Sequence, residues 1–300
     1  MKIYSDSDNS FDLGIFALGY ESRARYFLET EAITFSRGVA FGYTFYNDLS
    51  YSDNKKCFEL ASLNIFEVDD QGLLNILPSA LKITESEDPV SVILDISSMS
   101  RHRITCILWY LFENLPKNSR VKVVYSQSKY LAPPNSCPPV KYIGPSIDNL
   151  AGVLGDLDMP TACVISLGYE ENKALGAVNS IDPAEIWALI PESQEKGFED
   201  KVVENNDSLL KGIPASRRIK VNIHDPLVLH RDLRSLLQGC MRSQRPILLP
   251  LGPKIFAAIS VILAYEFFPN LPVWRVSSYE KELPVDRKAN GKIIGFSILV

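Results

Sequence analysis

Val92-Ile93-Leu94-Asp95-Ile96-Ser97-Ser98-Met99-Ser100-Arg101 runs from a β-branched apolar stretch into small polar residues. It then enters the apolar segment Ile104-Thr105-Cys106-Ile107-Leu108-Trp109-Tyr110-Leu111. That order reads as a strand–turn–helix joint. The turn of such a joint gathers free backbone N–H groups at the positive end of a helix dipole, which favours an anion. Asp95, Ser97, Ser98 and Arg101 are therefore candidate ligand contacts. The competing reading is a helix cap followed by a solvated arginine.

The same kind of joint recurs along the chain. Leu13-Gly14-Ile15-Phe16-Ala17-Leu18 leads into Gly19-Tyr20-Glu21-Ser22-Arg23-Ala24-Arg25. Ala162-Cys163-Val164-Ile165-Ser166-Leu167 leads into Gly168-Tyr169-Glu170-Glu171-Asn172-Lys173. The shared Leu-Gly-Tyr-Glu lies at an offset of 149 residues, about half of the 300-residue chain.

The elements after each copy come in one order. The strand Val39–Phe45, with polar Tyr46-Asn47-Asp48 and a helix near 54–62, matches Ile186–Ile190 with a helix near 195–211. Ile65–Val68 before Asp69-Asp70 matches Ile219–Ile223 before His224-Asp225. These acidic residues suit helix N-caps. The opening joint matches Pro246–Lys254, followed by the helix Ile255–Ala264. Val121–Tyr125 before Ser126-Gln127-Ser128-Lys129 matches Val273–Val276 before Ser277-Ser278-Tyr279-Glu280-Lys281. A short sixth element recurs as Lys141-Tyr142-Ile143-Gly144 and Lys292-Ile293-Ile294-Gly295.

Six elements in one order point to an internal duplication. Strands alternating with helices give βαβ units, mainly parallel sheets and helices on both faces. The expected fold is thus α/β, two tandem Rossmann-like domains. The first spans 1–148, a linker 149–160 and the second 161–300. A short helix is expected over Asn149–Leu154, and an extended loop over Pro133-Pro134 and Pro138-Pro139.

In such a sheet ligands bind beyond the carboxyl ends of the strands, where the strand order reverses. In the Rossmann order that point lies between strands 1 and 4, at Gly19–Arg25 and Asp95–Arg101. Tyr20 and Tyr169 read equally well as rings that stack on a base and as packing between the repeats. Glu21 and Glu170 fall where a first helical turn is expected, with their carboxylates on the dipole. Arg23, Arg25 and Lys173 are candidates for an anion or for a solvated helix face. In the second copy Gly252 and Lys254 stand where the first has hydroxyls and Arg101, so the cation is kept and the carboxylate lost. Neither GxGxxG after a first strand nor GxxxxGK[ST] occurs, which speaks against dinucleotide and P-loop sites.

The chain is 46% hydrophobic and 22% charged, the composition of a folded soluble protein. No apolar run approaches the roughly 18–20 residues of a membrane span. The N-terminus lacks an apolar signal core, so a cytoplasmic protein is expected. A net charge of −5 argues against an extended duplex nucleic-acid surface and leaves room for a local basic pocket. The five cysteines include no CxxC, an argument against a disulfide framework. His102 and Cys106 share a helical face, but two ligands make no zinc centre, so neither metal nor cofactor is expected.

Asp95-Ile96-Ser97-Ser98-Met99-Ser100-Arg101 resembles the [DN]-x-[ST]-x-x-x-[RK] motif of CRISPR-associated Rossmann-fold (CARF) sensor domains. Two such folds in one chain also resemble the SAVED sensors of antiphage systems. The resemblance implies contact with a cyclic oligonucleotide messenger through Asp95, Ser97 and Arg101, with Lys254 matching only as the terminal cation. CARF proteins usually carry a fused effector, whereas here the two halves use up the whole chain. The expectation is therefore a pseudo-dimeric sensor that binds a nucleotide or other small anionic ligand and signals to a separate effector. A nucleotide hydrolase or nucleoside-processing enzyme with Asp95 or Glu21 as base is an alternative. A structural subunit of a defence or nucleic-acid complex is another.

Overall fold

The computed structural model describes residues 1–45, 47–83, 87–132, 140–153, 155–193, 195, 197–277 and 284–300. The proline loop, Cys137, Leu154 and Ser278–Lys281 lie outside the described residues.

The chain begins with β1 (Lys2–Tyr4), β2 (Ser10–Leu18), α1 (Tyr26–Thr30), β3 (Thr34–Gly42), α2 (Tyr51–Leu60) and β4 (Asn64–Glu67). It continues with α3 (Leu73–Leu81), β5 (Ser91–Asp95), α4 (Arg101–Asn114), β6 (Arg120–Ser128) and β7 (Tyr142–Pro145). Next come β8 (Thr161–Ser166), α5 (Lys173–Ile181), β9 (Glu185–Glu192), α6 (Phe198–Asn205), α7 (Asp207–Lys211) and β10 (Arg218–Asn222). The last are α8 (Pro226–Cys240), β11 (Arg245–Pro250), α9 (Lys254–Glu266), β12 (Trp274–Ser277) and β13 (Ala289–Leu299).

The chain forms two compact α/β units, one of Met1–Lys129 with Leu283–Val300, the other of Tyr130–Glu282. The first holds a seven-stranded sheet in the order β1-β13-β6-β5-β2-β3-β4. Its run from β6 to β4 is parallel, while β13 is antiparallel to both β6 and β1. The second holds a parallel sheet in the order β10-β9-β8-β11. A parallel bridge from Leu248 to Val273 extends it towards β12, which pairs antiparallel with β7. Helices flank both sheets.

The central strands are buried on both faces, as parallel sheets require. Ile15, Phe16, Leu18, Val39, Phe41, Ile93 and Leu94 are fully buried in the first unit, as are Cys163, Ile165, Leu167 and Leu249 in the second. Burial of such side chains contributes about 1.5–3 kcal/mol each. Among the described residues no helix is long and apolar enough to cross a membrane.

Several boundaries differ from the sequence expectation. The second strand begins at Thr34, because polar Arg37 and Gly38 pair by backbone with Leu13 and Gly14. It ends at Gly42, whose carbonyl accepts both the Val68 N–H and Arg103. The helix near 195–211 is two helices meeting at buried Asn206. In place of the Asn149–Leu154 helix the described residues form one 3-10 turn, Asp148–Leu150.

The largest difference concerns the sixth elements. β7 follows β6 in the chain yet pairs with β12, and β13 follows β12 yet pairs with β6. The compact units consequently divide near residues 129 and 283, instead of at a linker over 149–160.

Candidate functional site

The two heavily decorated joints of the first unit are neighbours, because β2 and β5 pair directly. Gly19 and the β5–α4 turn touch: a Cβ on Gly19 would fall 2.6 Å from Ser98 Oγ. A larger residue there would have to turn the Ser98 hydroxyl aside.

The β5–α4 turn is braced by polar side chains. Asp95 Oδ1 accepts the Ser97 N–H at 2.8 Å and also the Ser97 hydroxyl. Ser97 Oγ accepts the Ser126 N–H of β6 at 2.7 Å. Asp95 and Ser97 are buried. They hold the turn against the neighbouring strand, an Asx-type arrangement. Ser100 is the N-cap of α4, its Oγ accepting the Arg103 N–H. Ser98 and Arg101 are half-buried, with Arg101 at the first position of the helix.

Arg103, two residues on, is fully buried. It donates to Asp70 Oδ1 at 2.8 Å, Val68 O at 2.6 Å, Gly42 O at 3.0 Å and Phe41 O at 3.4 Å. Its guanidinium lies 3.6 Å from the centre of the Tyr43 ring. Burial raises the Tyr43 phenol above its ordinary pKa, with Arg103 pulling the other way, so the hydroxyl stays protonated. That hydroxyl accepts the Ser100 N–H at 2.8 Å and donates to Ser98 O at 3.3 Å.

The Gly19–Arg25 joint is pinned by Asn54 of α2, which is fully buried. Asn54 Nδ2 donates to Gly19 O at 2.8 Å and Glu21 O at 2.9 Å, while its Oδ1 accepts Arg25 Nη1 at 2.8 Å. Glu21 does not enter a first helical turn. Its backbone is extended and its carboxylate pairs with Arg23 at 2.6 Å. Arg23 also donates to Tyr125 Oη and Ser126 O. Burial alone would lower the Arg23 pKa, but Glu21 beside it outweighs this and holds the guanidinium charged. The sequence offered Arg23 and Arg25 as anion partners. Both are engaged in the fold, Arg25 also with Glu29 at 2.9 Å. From the far end of the chain, Asp286 Oδ1 accepts the Ser22 N–H at 2.6 Å, and Arg287 lies 3.7 Å from Glu21 Oε1.

The segment between β3 and α2 is fastened to both joints. Tyr43 holds the β5–α4 turn, and the Ser50 N–H donates to Tyr20 O at 3.1 Å. Between these fastenings stand exposed Phe45 and Leu49.

The second unit holds comparable joints. Asn206 Nδ2 donates to Gly168 O at 2.8 Å, as Asn54 does to Gly19 O. A Cβ on Gly168 would fall 2.9 Å from Leu251 O, and one on Gly252 2.7 Å from Leu167 O. Lys254 opens α9 behind Pro253, with no side-chain cap. Tyr169 packs edge-on against Tyr130 and Phe198 at 6.1 and 5.8 Å. Lys173 lies 3.9 Å from Glu170. Of the acidic joint residues, Asp225 caps α8 through the Val228 N–H, whereas Asp70 is taken by Arg103.

Gly19, Tyr20, Glu21, Arg23, Asp95, Ser97, Ser98 and Arg101 thus gather at one end of the first sheet. Gly168, Tyr169, Gly252 and Lys254 gather at the matching end of the second. Sequence reasoning missed Tyr43, Asn54, Arg103, Asn206, Asp286 and Arg287. Asn54 had a signal, since Tyr51, Asn54 and Phe58 form one buried stripe in which a lone amide needs buried partners. Asp286 and Arg287 had none, because they stand at the far end of the chain from the joint they complete.

His102 Nε2 lies 3.4 Å from Cys106 Sγ, and no cluster of three or more metal-ligand residues occurs among the described residues. No protein-family model matches the chain, and a search of curated proteins finds no match.

Proposed function

We propose that this chain is an internally duplicated, CARF-like cytoplasmic sensor that binds a nucleotide-type anion and acts on a separate effector in a defence-associated complex. The observation that carries the reading is the contact of Gly19 with Ser98 at the point where the first sheet reverses its strand order. Open α/β sheets bind ligands at such points. The common strand order of the two units and the matching amides of Asn54 and Asn206 support the duplication.

In this reading the motif residues divide the labour. Ser98, Arg101 and Tyr20, all half-buried, are the groups that would meet the ligand. Asp95, Ser97, Arg23 and Asn54 position them, a rigid support that a preorganised site requires.

The test is calorimetric titration and thermal shift with a cyclic dinucleotide, a cyclic tetranucleotide, a linear trinucleotide and pyrophosphate. At least one probe should bind, and Arg101→Ala should weaken it about tenfold or more, as expected for a charged hydrogen bond. No binding by any probe, or binding that Arg101→Ala leaves unchanged, refutes the reading.

One observation favours a structural subunit instead. The N–H groups of Ser97, Met99 and Ser100 already have acceptors within the chain. Absence of binding across the panel would support that second reading.

A further inference from the structure

We infer that the chain is a fused pair of like half-chains that exchange their sixth strands. The inference rests on the duplication proposed above and extends it from sequence order to assembly. Numbered by place within each half, the first unit runs 3-2-1-4-5 as β4-β3-β2-β5-β6, and the second as β10-β9-β8-β11 followed by the bridge to β12. In each, the fifth strand receives an antiparallel sixth. For β6 that strand is β13, with Lys122 opposite Ser297 and Val124 opposite Gly295. For β12 it is β7, with Val276 opposite Ile143. Each sixth strand comes from the half-chain that does not supply the fifth.

The edge of a fifth strand is a row of backbone donors and acceptors that must be paired or covered. The partner fitted to it is a terminal strand of a second half-chain. Two separate copies would meet the same need by lending each other that strand, a low-cost route to a dimer.

The exchange also completes the candidate site. The stretch leading into β13 brings Asp286 to the Ser22 N–H and Arg287 to Glu21. β13 itself pairs with β6 at Tyr125 and Ser126, which hold Arg23 and Ser97. The first joint is therefore finished by residues of the second half-chain.

The experiment uses the full chain with a protease site inserted after Gly155, between the halves and among exposed residues. After cleavage the two fragments should co-elute in native buffer and part only in denaturant. Two cysteine pairs then discriminate the arrangement: Lys122→Cys with Ser297→Cys, and Ile143→Cys with Val276→Cys. Each pair can join the fragments only if the strands are exchanged, because residues facing across antiparallel strands lie within disulfide reach. Under non-reducing denaturing electrophoresis each oxidised, cleaved variant should run as one full-length band. Two fragment bands for both pairs, or fragments that separate in native buffer, overturn the inference. If one cysteine pair prevents folding, the other pair and the co-elution still decide. No ligand enters this test, so its failure is distinct from failure of the sensor reading.

Discussion

Replacing Arg103 by Met should destabilise the first unit severely, although Arg103 lies in no recognised motif. The substitution keeps an unbranched stem of similar reach and removes the guanidinium. Three carbonyls at the carboxyl ends of β3 and β4 (Phe41, Gly42 and Val68) then lose a donor, and Asp70 loses its counter-ion. Each buried acceptor left without a partner costs about 1–3 kcal/mol, and these costs are not additive. The half-exposed Asp70 is left near water, so the cost falls on the carbonyls. We therefore expect about 3–5 kcal/mol in all for Arg103→Met. The carboxylate matters less: the Asp70 side chain is 41% exposed, so Asp70→Asn should cost no more than about 1 kcal/mol.

The chain offers its own probe. Of its three tryptophans only Trp109 belongs to the first unit, on the same helix as Arg103. In a Trp187→Phe, Trp274→Phe background, urea unfolding followed by fluorescence reports this unit alone. With a urea dependence of about 2 kcal/mol/M, the Arg103→Met midpoint should fall by about 2 M. Arg101→Ala should move it by clearly less than Arg103→Met does, since Arg101 is half-buried where Arg103 is fully buried. A loss below about 1 kcal/mol for Arg103→Met, or an Asp70→Asn effect as large as that of Arg103→Met, would refute the reasoning.

Asn54→Ala and Asn206→Ala should each cost about 1–3 kcal/mol, because each strips a buried amide from a glycine carbonyl; urea midpoints read with Trp109 for the first and Trp187 with Trp274 for the second check this. If Asn54→Ala alone is costly, the two amides are not equivalent devices. Acid stability should depend on Glu266. Its burial pushes the carboxyl pKa up, but hydrogen bonds from His230 at 3.3 Å and Arg234 at 3.0 Å outweigh this and hold it below its ordinary value. A carboxylate with a depressed folded pKa contributes stability above its unfolded value, and that contribution is lost as pH falls through the folded value. Glu266→Gln should therefore narrow its stability deficit as pH falls below an unfolded glutamate's pKa of about 4.3. A deficit that stays constant between neutral and strongly acidic pH would show that the pair contributes nothing through its charge.

The strands of the first sheet were legible because their apolar runs, Leu13–Leu18, Val39–Phe41 and Val92–Leu94, are buried on both faces and need no alternation. Helix ends and strand ends were less so. Thr34–Gly38 has one large apolar side chain, Phe35 on Phe16, and otherwise joins the ladder through its backbone, which leaves little hydrophobic trace. The sixth strands illustrate the limit. Lys141–Gly144 and Lys292–Gly295 were readable as recurring elements, but nothing local in either encodes which fifth strand it completes. Pairing of edge strands is fixed by backbone bonds common to all residues, so the choice rests on the path of the whole chain.

The same limit explains the two arginines at the head of α4. Both follow the Asp-x-Ser pair, and the motif spacing selects Arg101. Two helical residues that are two positions apart differ by about 200° in direction, so one of the pair points away from the core when the other points in. Periodicity decides which only if the following turns have a polar side, and Ile104–Trp109 is buried all round. The fold therefore commits Arg103 to the interior, where three carbonyls and a phenol ring hold its charge. Arg101 is left at the rim of the turn that Asp95 and Ser97 shape. The structural role of Arg103 follows from this single rotation, and the ligand contact proposed for Arg101 depends on it, so exchanging the two phenotypes between the variants would undo both assignments together.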